Sequence, residues 1–189
     1  MSGQIVAWHA EHLNFARLLW LFEEQVDLFA QGEPADYTMM QDIVHYLRHF
    51  PDVHHHRYEN EVYERMRVRN PSLGPLLSRL LQEHRVIANL GDALTNLLEE
   101  VINEGAVTRS ELETTAAAYL VYYRAHIQAE ETQLLPVVQA AMQPSDWVEV
   151  AAAVQAKAHD DPLFGPQVEQ RFRALRLAIE REAQAAHSA

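Results

Sequence analysis

Two segments of this chain carry a histidine and a glutamate four residues apart, His55 with Glu59 and His126 with Glu130. Four residues is a little more than one helical turn, so on a helix both side chains of a pair leave one face and reach one place. Two further histidines, His12 and His84, stand where the surrounding three-and-four spacing calls for an apolar residue. His12, His55, Glu59, His84, His126 and Glu130 therefore all fall in the apolar stripes of long amphipathic segments. Burying an unpaired carboxylate is costly even after relaxation, and two facing carboxylates repel each other in addition. A domain stable by only ~5–15 kcal/mol cannot carry such a layer without compensating positive charge.

Divalent or trivalent cations supply that charge and keep the imidazoles neutral as ligands. Four nitrogens and two carboxylates exceed the needs of one closed tetrahedral zinc site. They suit two ions that prefer five or six ligands, with both carboxylates bridging. Imidazole and carboxylate without sulfur fits two iron ions best, with manganese or zinc as substitutes. Such a set leaves room for a solvent bridge and an exchangeable position. On a redox metal, that position takes dioxygen, peroxide or nitric oxide. The competing reading is a metal-free helical interaction module, in which each carboxylate shares a proton with an imidazole.

The elements that must position these groups are long helices. From Gln4 to Gln31, Ile5, Trp8, Phe15, Leu19, Phe22, Val26 and Phe29 form a stripe with His12 in its gap, closed by Gly32 and Pro34. Asp36 suits the N-cap of a second helix carrying Ile43, Leu47 and Phe50. Pro51 should kink it before Val62 and Met66 resume the stripe, and Asn70, Pro71 and Ser72 end it. The third helix alternates without a miss through Leu73, Leu77, Leu80, His84, Ile87, Gly91, Leu94, Leu98 and Val101. Ser110 with Glu113 makes a capping-box signature for the fourth, whose stripe runs from Leu112 to Val137 and which Pro136 should bend.

The predicted fold is all-α, an antiparallel up-down-up-down four-helix bundle over residues 1–142. A C-terminal extension over residues 143–189 should add two short helices packed outside the bundle. One runs from Trp147 to about Ala158 behind Ser145; the other runs from Arg171 to Ala183 and docks through Phe172, Leu175 and Ile179. A turn over His159 to Pro166 separates them.

Composition narrows the function classes. The chain has 189 residues, with 15 basic and 27 acidic side chains and a formal charge of −12. That field disfavours nucleic acid and anionic lipid. The absence of cysteine excludes disulfides, thiol catalysis, iron–sulfur ligation and Cys-type zinc. No acyl-transfer constellation, phosphate loop or dinucleotide fingerprint is present. With no targeting signal or membrane span visible, the expectation is a soluble cytoplasmic protein, monomer or homodimer.

Glu11-His12-Leu13-Asn14, the run Phe50-Pro51-Asp52-Val53-His54-His55-His56-Arg57-Tyr58-Glu59, Glu83-His84-Arg85, and His126-Ile127-Gln128-Ala129-Glu130-Glu131 before Leu134-Leu135-Pro136 stand in a specific order and spacing. Over roughly residues 4–142 the chain resembles the hemerythrin-like, or HHE cation-binding, proteins of bacterial type. The tail, with Trp147 and Asp161-Pro162-Leu163-Phe164-Gly165, resembles extensions found in bacterial members.

The resemblance implies a non-haem di-iron centre inside the bundle. It puts terminal imidazoles at His12, His55, His84 and His126, with bridging carboxylates at Glu59 and at Glu130 or Glu131. Oxygen-carrying hemerythrins use a fifth histidine one turn from its partner on the third helix. Here Leu80 and Ala88 hold those positions and cannot ligate. The departure points away from plain oxygen carriage, toward relatives implicated in iron–sulfur repair, nitric oxide response or iron and oxygen sensing. The cysteine-containing domain of the repair proteins has no counterpart in this sequence.

The implied function is a small-ligand-binding sensor, store or stress-related redox protein. The alternative is a di-iron oxidoreductase or peroxidase-like enzyme with an unspecified electron donor. Tyr119 and Tyr123 share the inner stripe with His126, where a phenol can donate to a bound oxygen species. His54 and His56 are expected beside the site rather than in it, and His9 is a candidate for the missing nitrogen. His45, His49, His159 and His187 read as surface residues.

Overall fold

In the computed structural model, residues 2–154 and 161–188 are described, with side chains described as far as residue 184. The first helix, α1, spans Gly3–Gln31. Ser2 accepts from the Ile5 N–H at its start, and Gly32 ends it in the left-handed region at φ +79°, where a side chain would be strained. Asp36 caps α2 (Tyr37–Phe50) by accepting from the Met39 N–H.

Pro51 has no N–H to give to the carbonyl of Leu47. The chain accordingly widens into a π-helical turn over Pro51–His55, closed by the His56 N–H bonding to Pro51 O, and continues as α3 (His56–Arg69). After a 3₁₀ turn at Pro71–Leu73, α4 runs from Gly74 to Ile102. The helix α5 (Arg109–Ala129) passes through a second π turn, Glu130–Leu134, into α6 (Leu135–Ala141). The expected bend therefore lies in the turn before Pro136, whose ring cannot pair with the carbonyl of Thr132.

One cap differs from expectation. The capping box is Thr108 with Glu111, not Ser110 with Glu113. Both pairs satisfy the pattern, but starting at Thr108 puts Val107 just outside the helix and Leu112 one turn inside. Both then pack on the same apolar cluster, as a hydrophobic staple.

The four main helices, with α2 and α3 counted as one kinked helix and α5 and α6 as another, form the antiparallel bundle. A polar layer divides its interior into two apolar clusters. The larger is built on Phe15, Phe22, Leu47, Leu94, Leu98 and Tyr119, and the smaller on Ile5, Trp8, Val62, Met66, Leu77 and Val138.

The two short C-terminal helices pack outside, one over each cluster. Along α7 (Pro144–Ala153), Trp147 and Val150 join the smaller cluster. It begins ahead of Ser145, with Asp146 accepting from the Gln143 N–H. The expected extension to Ala158 lies outside the described residues. Phe172, Leu175 and Ile179 dock α8 (Arg173–Ser188) on the larger cluster, as their spacing predicts. Asp161 fixes the turn before it, accepting from the Leu163 and Phe164 N–H groups and from the Tyr46 hydroxyl. Among the described residues, no helix is long and apolar enough to cross a membrane.

Candidate metal centre

The polar layer contains all six residues singled out from sequence. Their ligand atoms form two groups, His12–His55–Glu59–Glu130 and His56–Glu59–His84–His126, and within each group they lie within 4.8 Å of one another. All are buried, and Glu59 belongs to both groups. One member differs from the expectation. His56 is not beside the site; its ring is buried in the second group and stacks on His84, with centroids 4.2 Å apart. The π turn explains this: its wider winding lets two adjacent side chains, His55 and His56, both reach the interior. The fifth imidazole thus comes from α3, while Leu80 is an apolar core residue.

The tautomers follow from what stands behind each ring. Nδ1 of His12 donates to Glu131 at 2.6 Å and that of His55 to Glu11 at 2.6 Å. Nδ1 of His56 donates to Asp52 at 2.8 Å and that of His126 to Glu83 at 3.2 Å. An ionised carboxylate only accepts, so each Nδ1 carries its proton and each neutral ring turns an Nε2 lone pair the other way. Nε2 of His55 lies 3.1 Å from that of His12, and Nε2 of His84 lies 3.1 Å from that of His126. Two nitrogens bound at right angles to one ion, each about 2.1 Å from it, would stand about 3.0 Å apart.

The carboxylates span the two groups. Glu59 Oε1 lies 2.6 Å from His55 Nε2 and its Oε2 lies 3.1 Å from His84 Nε2. Glu130 Oε2 lies 3.1 Å from His12 Nε2 and 3.5 Å from His126 Nε2. Despite these approaches, neither oxygen of Glu59 and not Oε2 of Glu130 accepts a hydrogen bond of proper geometry. Buried carboxylate oxygens left this way are destabilising unless a cation meets them. The donor set, imidazole and carboxylate with shared acids, fits a pair of metal ions.

Comparison with protein families matches residues 4–138 to the Hemerythrin HHE cation binding domain. The chain belongs to that hemerythrin family. Comparisons with curated proteins and with solved structures return no match. The matched residues include every member of both donor groups and all of the four main helices except Gly3 and residues 139–141.

Within this hemerythrin domain, Glu130 and Glu131 face opposite ways. Glu130 is fully buried and its Oε1 accepts from the Tyr63 hydroxyl. Glu131 is 26% exposed and holds His12 from behind, with the 51%-exposed His9 on its other oxygen. His9 accordingly backs Glu131 instead of supplying a further nitrogen. Tyr123 borders the layer, its ring 6.4 Å from that of His56, whereas Tyr119 lies against Phe22 in the apolar cluster. Among the described residues, neither hydroxyl has a hydrogen-bond partner. Tyr63 was not singled out from sequence, although it stands one turn after Glu59 on the same face.

Asp52, behind His56, is paired with Arg48, which reaches across to Asp92 on α4 at 2.7 Å. Gly91 makes room for that reach, since a Cβ there would stand 3.2 Å from Arg48 Cδ. His45 and His49 stack on each other away from the centre, at 4.1 Å. His159 and the side chain of His187 fall outside the described residues.

The electrostatics of the metal-free layer are divided. Burial opposes charge on His12, but Glu130, Glu131 and Glu59 outweigh it and hold the imidazole well above its ordinary pKa. Burial likewise opposes charge on His55, and Glu59 with Glu11 raises it to about 9. In His126 burial is overcome by Glu130 and Glu83. His56 goes the other way, lowered well below the usual value by burial and by His84 beside it. Without metal, protons therefore supply part of the positive charge that the carboxylates require.

Proposed function

We propose that this hemerythrin domain holds two metal ions, iron where iron is supplied, and that it binds or reacts with dioxygen, peroxide or nitric oxide as a sensor, store or stress-related redox protein. The observation that carries the reading is the orientation of four imidazoles. Each Nδ1 is tied to an outer carboxylate, so the Nε2 lone pairs converge on three buried carboxylate oxygens, both of Glu59 and Oε2 of Glu130, that accept no hydrogen bond among the described residues. His12, His55, Glu59 and Glu130 would hold one ion; His56, His84 and His126, with the same two acids, would hold the other. A pair of redox-active ions supplies Lewis acidity and electrons to a small ligand.

The chain's own contribution is positioning and exclusion. Glu131, Glu11, Asp52 and Glu83 fix ring orientation and raise the basicity of the nitrogens. Tyr63 holds Glu130 by one oxygen and leaves the other free. The apolar clusters above and below keep bulk water from the layer.

A peroxidase-like oxidoreductase is the second reading. It is favoured by a pocket of about 270 Å³ that reaches His55 and Glu59 and exceeds the needs of a diatomic molecule. The two readings part in a turnover assay of iron-loaded protein with hydrogen peroxide and a generic electron donor. Stoichiometric spectral change that saturates supports binding or sensing, and sustained peroxide consumption supports the enzyme. A metal-free helical module would give neither, and would purify without metal.

A further inference from the structure

Trp8 stands one turn before His12, is only 3% exposed, and holds its indole N–H 3.2 Å from His12 Nε2, which accepts it when the imidazole is neutral. His12 Nδ1 is already committed to Glu131, so the neutral ring has one remaining lone pair. That lone pair cannot serve both an indole and a metal ion. Once His12 ligates, a buried N–H loses its acceptor, a destabilising situation unless another acceptor arrives.

The surroundings indicate where the acceptor comes from. The pocket that opens between α1 and α3 is lined by Trp8, Glu11, His54, His55, Tyr58 and Glu59, so its inner end meets the indole and the first donor group together. That group has two imidazoles, while the second has three. The outer wall is braced: Tyr58 meets Trp8 edge-on at 6.4 Å and stacks on Trp147 of α7 at 6.3 Å.

We infer that the Trp8 N–H, released once metal has taken His12, donates to a small ligand that enters through this pocket. The inference rests on the two-metal reading above. It makes Trp8 a specificity residue: compact anions that accept a hydrogen bond, such as azide or the peroxide anion, gain from the indole, and neutral nitric oxide gains little.

The test uses azide and nitric oxide as probes on iron-loaded protein, with Trp8→Phe removing the N–H and keeping an aromatic ring. Metal content should stay near that of the natural protein, azide affinity should fall ~10-fold or more, and nitric oxide affinity should barely move. Equal azide affinity in the two proteins, or equal losses for both probes, would overturn the assignment.

A second measurement needs no variant. In zinc-loaded protein with ¹⁵N-labelled tryptophan, one of the three indole N–H signals should shift on metal loading and again on saturation with azide. Azide binding with all three signals still would contradict the inference. Failure to load any metal would instead bring down the two-metal reading, and this inference with it.

Discussion

The two donor groups share Glu59, yet they are set in different surroundings. Around His12 and His55 the layer is connected to the outside. A pocket reaches it, an indole N–H points into it, and the acids behind the two rings, Glu131 and Glu11, are 26% and 38% exposed. Around His56, His84 and His126 it is braced. The rings of His56, His84 and Tyr63 stack in series, and Arg48 pins Asp52 behind them. Side chains of one chemical type thus divide into a group reached by a pocket and a group braced by stacked rings. The acids behind the second group are also tied to arginines, Asp52 to Arg48 and Glu83 to Arg79.

The largest effect should come from breaking what the groups share. Glu59→Gln removes a charge from both at once and should cut metal content from two ions to well under one. His56→Ala touches only the second group and should leave one ion in place. Elemental analysis of the two variants, with circular dichroism to verify the fold, separates these outcomes.

Removing metal should come next in size. The donors come from all four main helices, so metal binds the folded chain preferentially and ties the bundle together. Chelation should lower the Tm by ~5–10 °C. Helicity should persist, because an apolar cluster on each side of the layer holds the helices without it. Identical melting curves would refute the coupling.

A smaller effect is pH dependence, in which His55 takes part together with His12 and His126. In the metal-free protein His55 titrates at about 9, against about 6.5 when unfolded. Its pairing with Glu59 and Glu11 therefore stabilises fully below about pH 6.5, and that contribution is lost as pH rises through 9. Metal must displace the same proton, so apparent metal affinity should rise with pH up to about 9 and then level off. Melting of metal-free protein from pH 6 to 9.5, beside metal titrations over the same range, should give opposite trends.

Much of this arrangement was legible in the sequence, and particular residues show why. The stripe from Leu73 to Val101 could bury itself only as a helix, and His84 within it marked the polar layer. His126 and Glu130 were legible because four-residue spacing survives a helix whatever lies around it. His56 was not, because a straight helix would send it about 100° away from His55, and only the π turn at Pro51 brings both inward. The acids behind the rings also escaped notice. Glu11 and Glu131 act across helix boundaries, on His55 and His12, and sequence spacing is silent about such neighbours. The Ser110 cap failed differently: two overlapping patterns were present, and packing of Val107 decided between them.

One buried layer is proposed to hold two ions in unlike surroundings. The most direct measurement is anomalous diffraction at the iron edge from crystals of protein produced with iron and purified without a histidine tag. Two peaks per chain are expected, one among His12, His55, Glu59 and Glu130, the other among His56, His84, His126 and the same two acids. A single peak, no peak, or a second peak with the His56 ring turned away from it would contradict the two-ion reading.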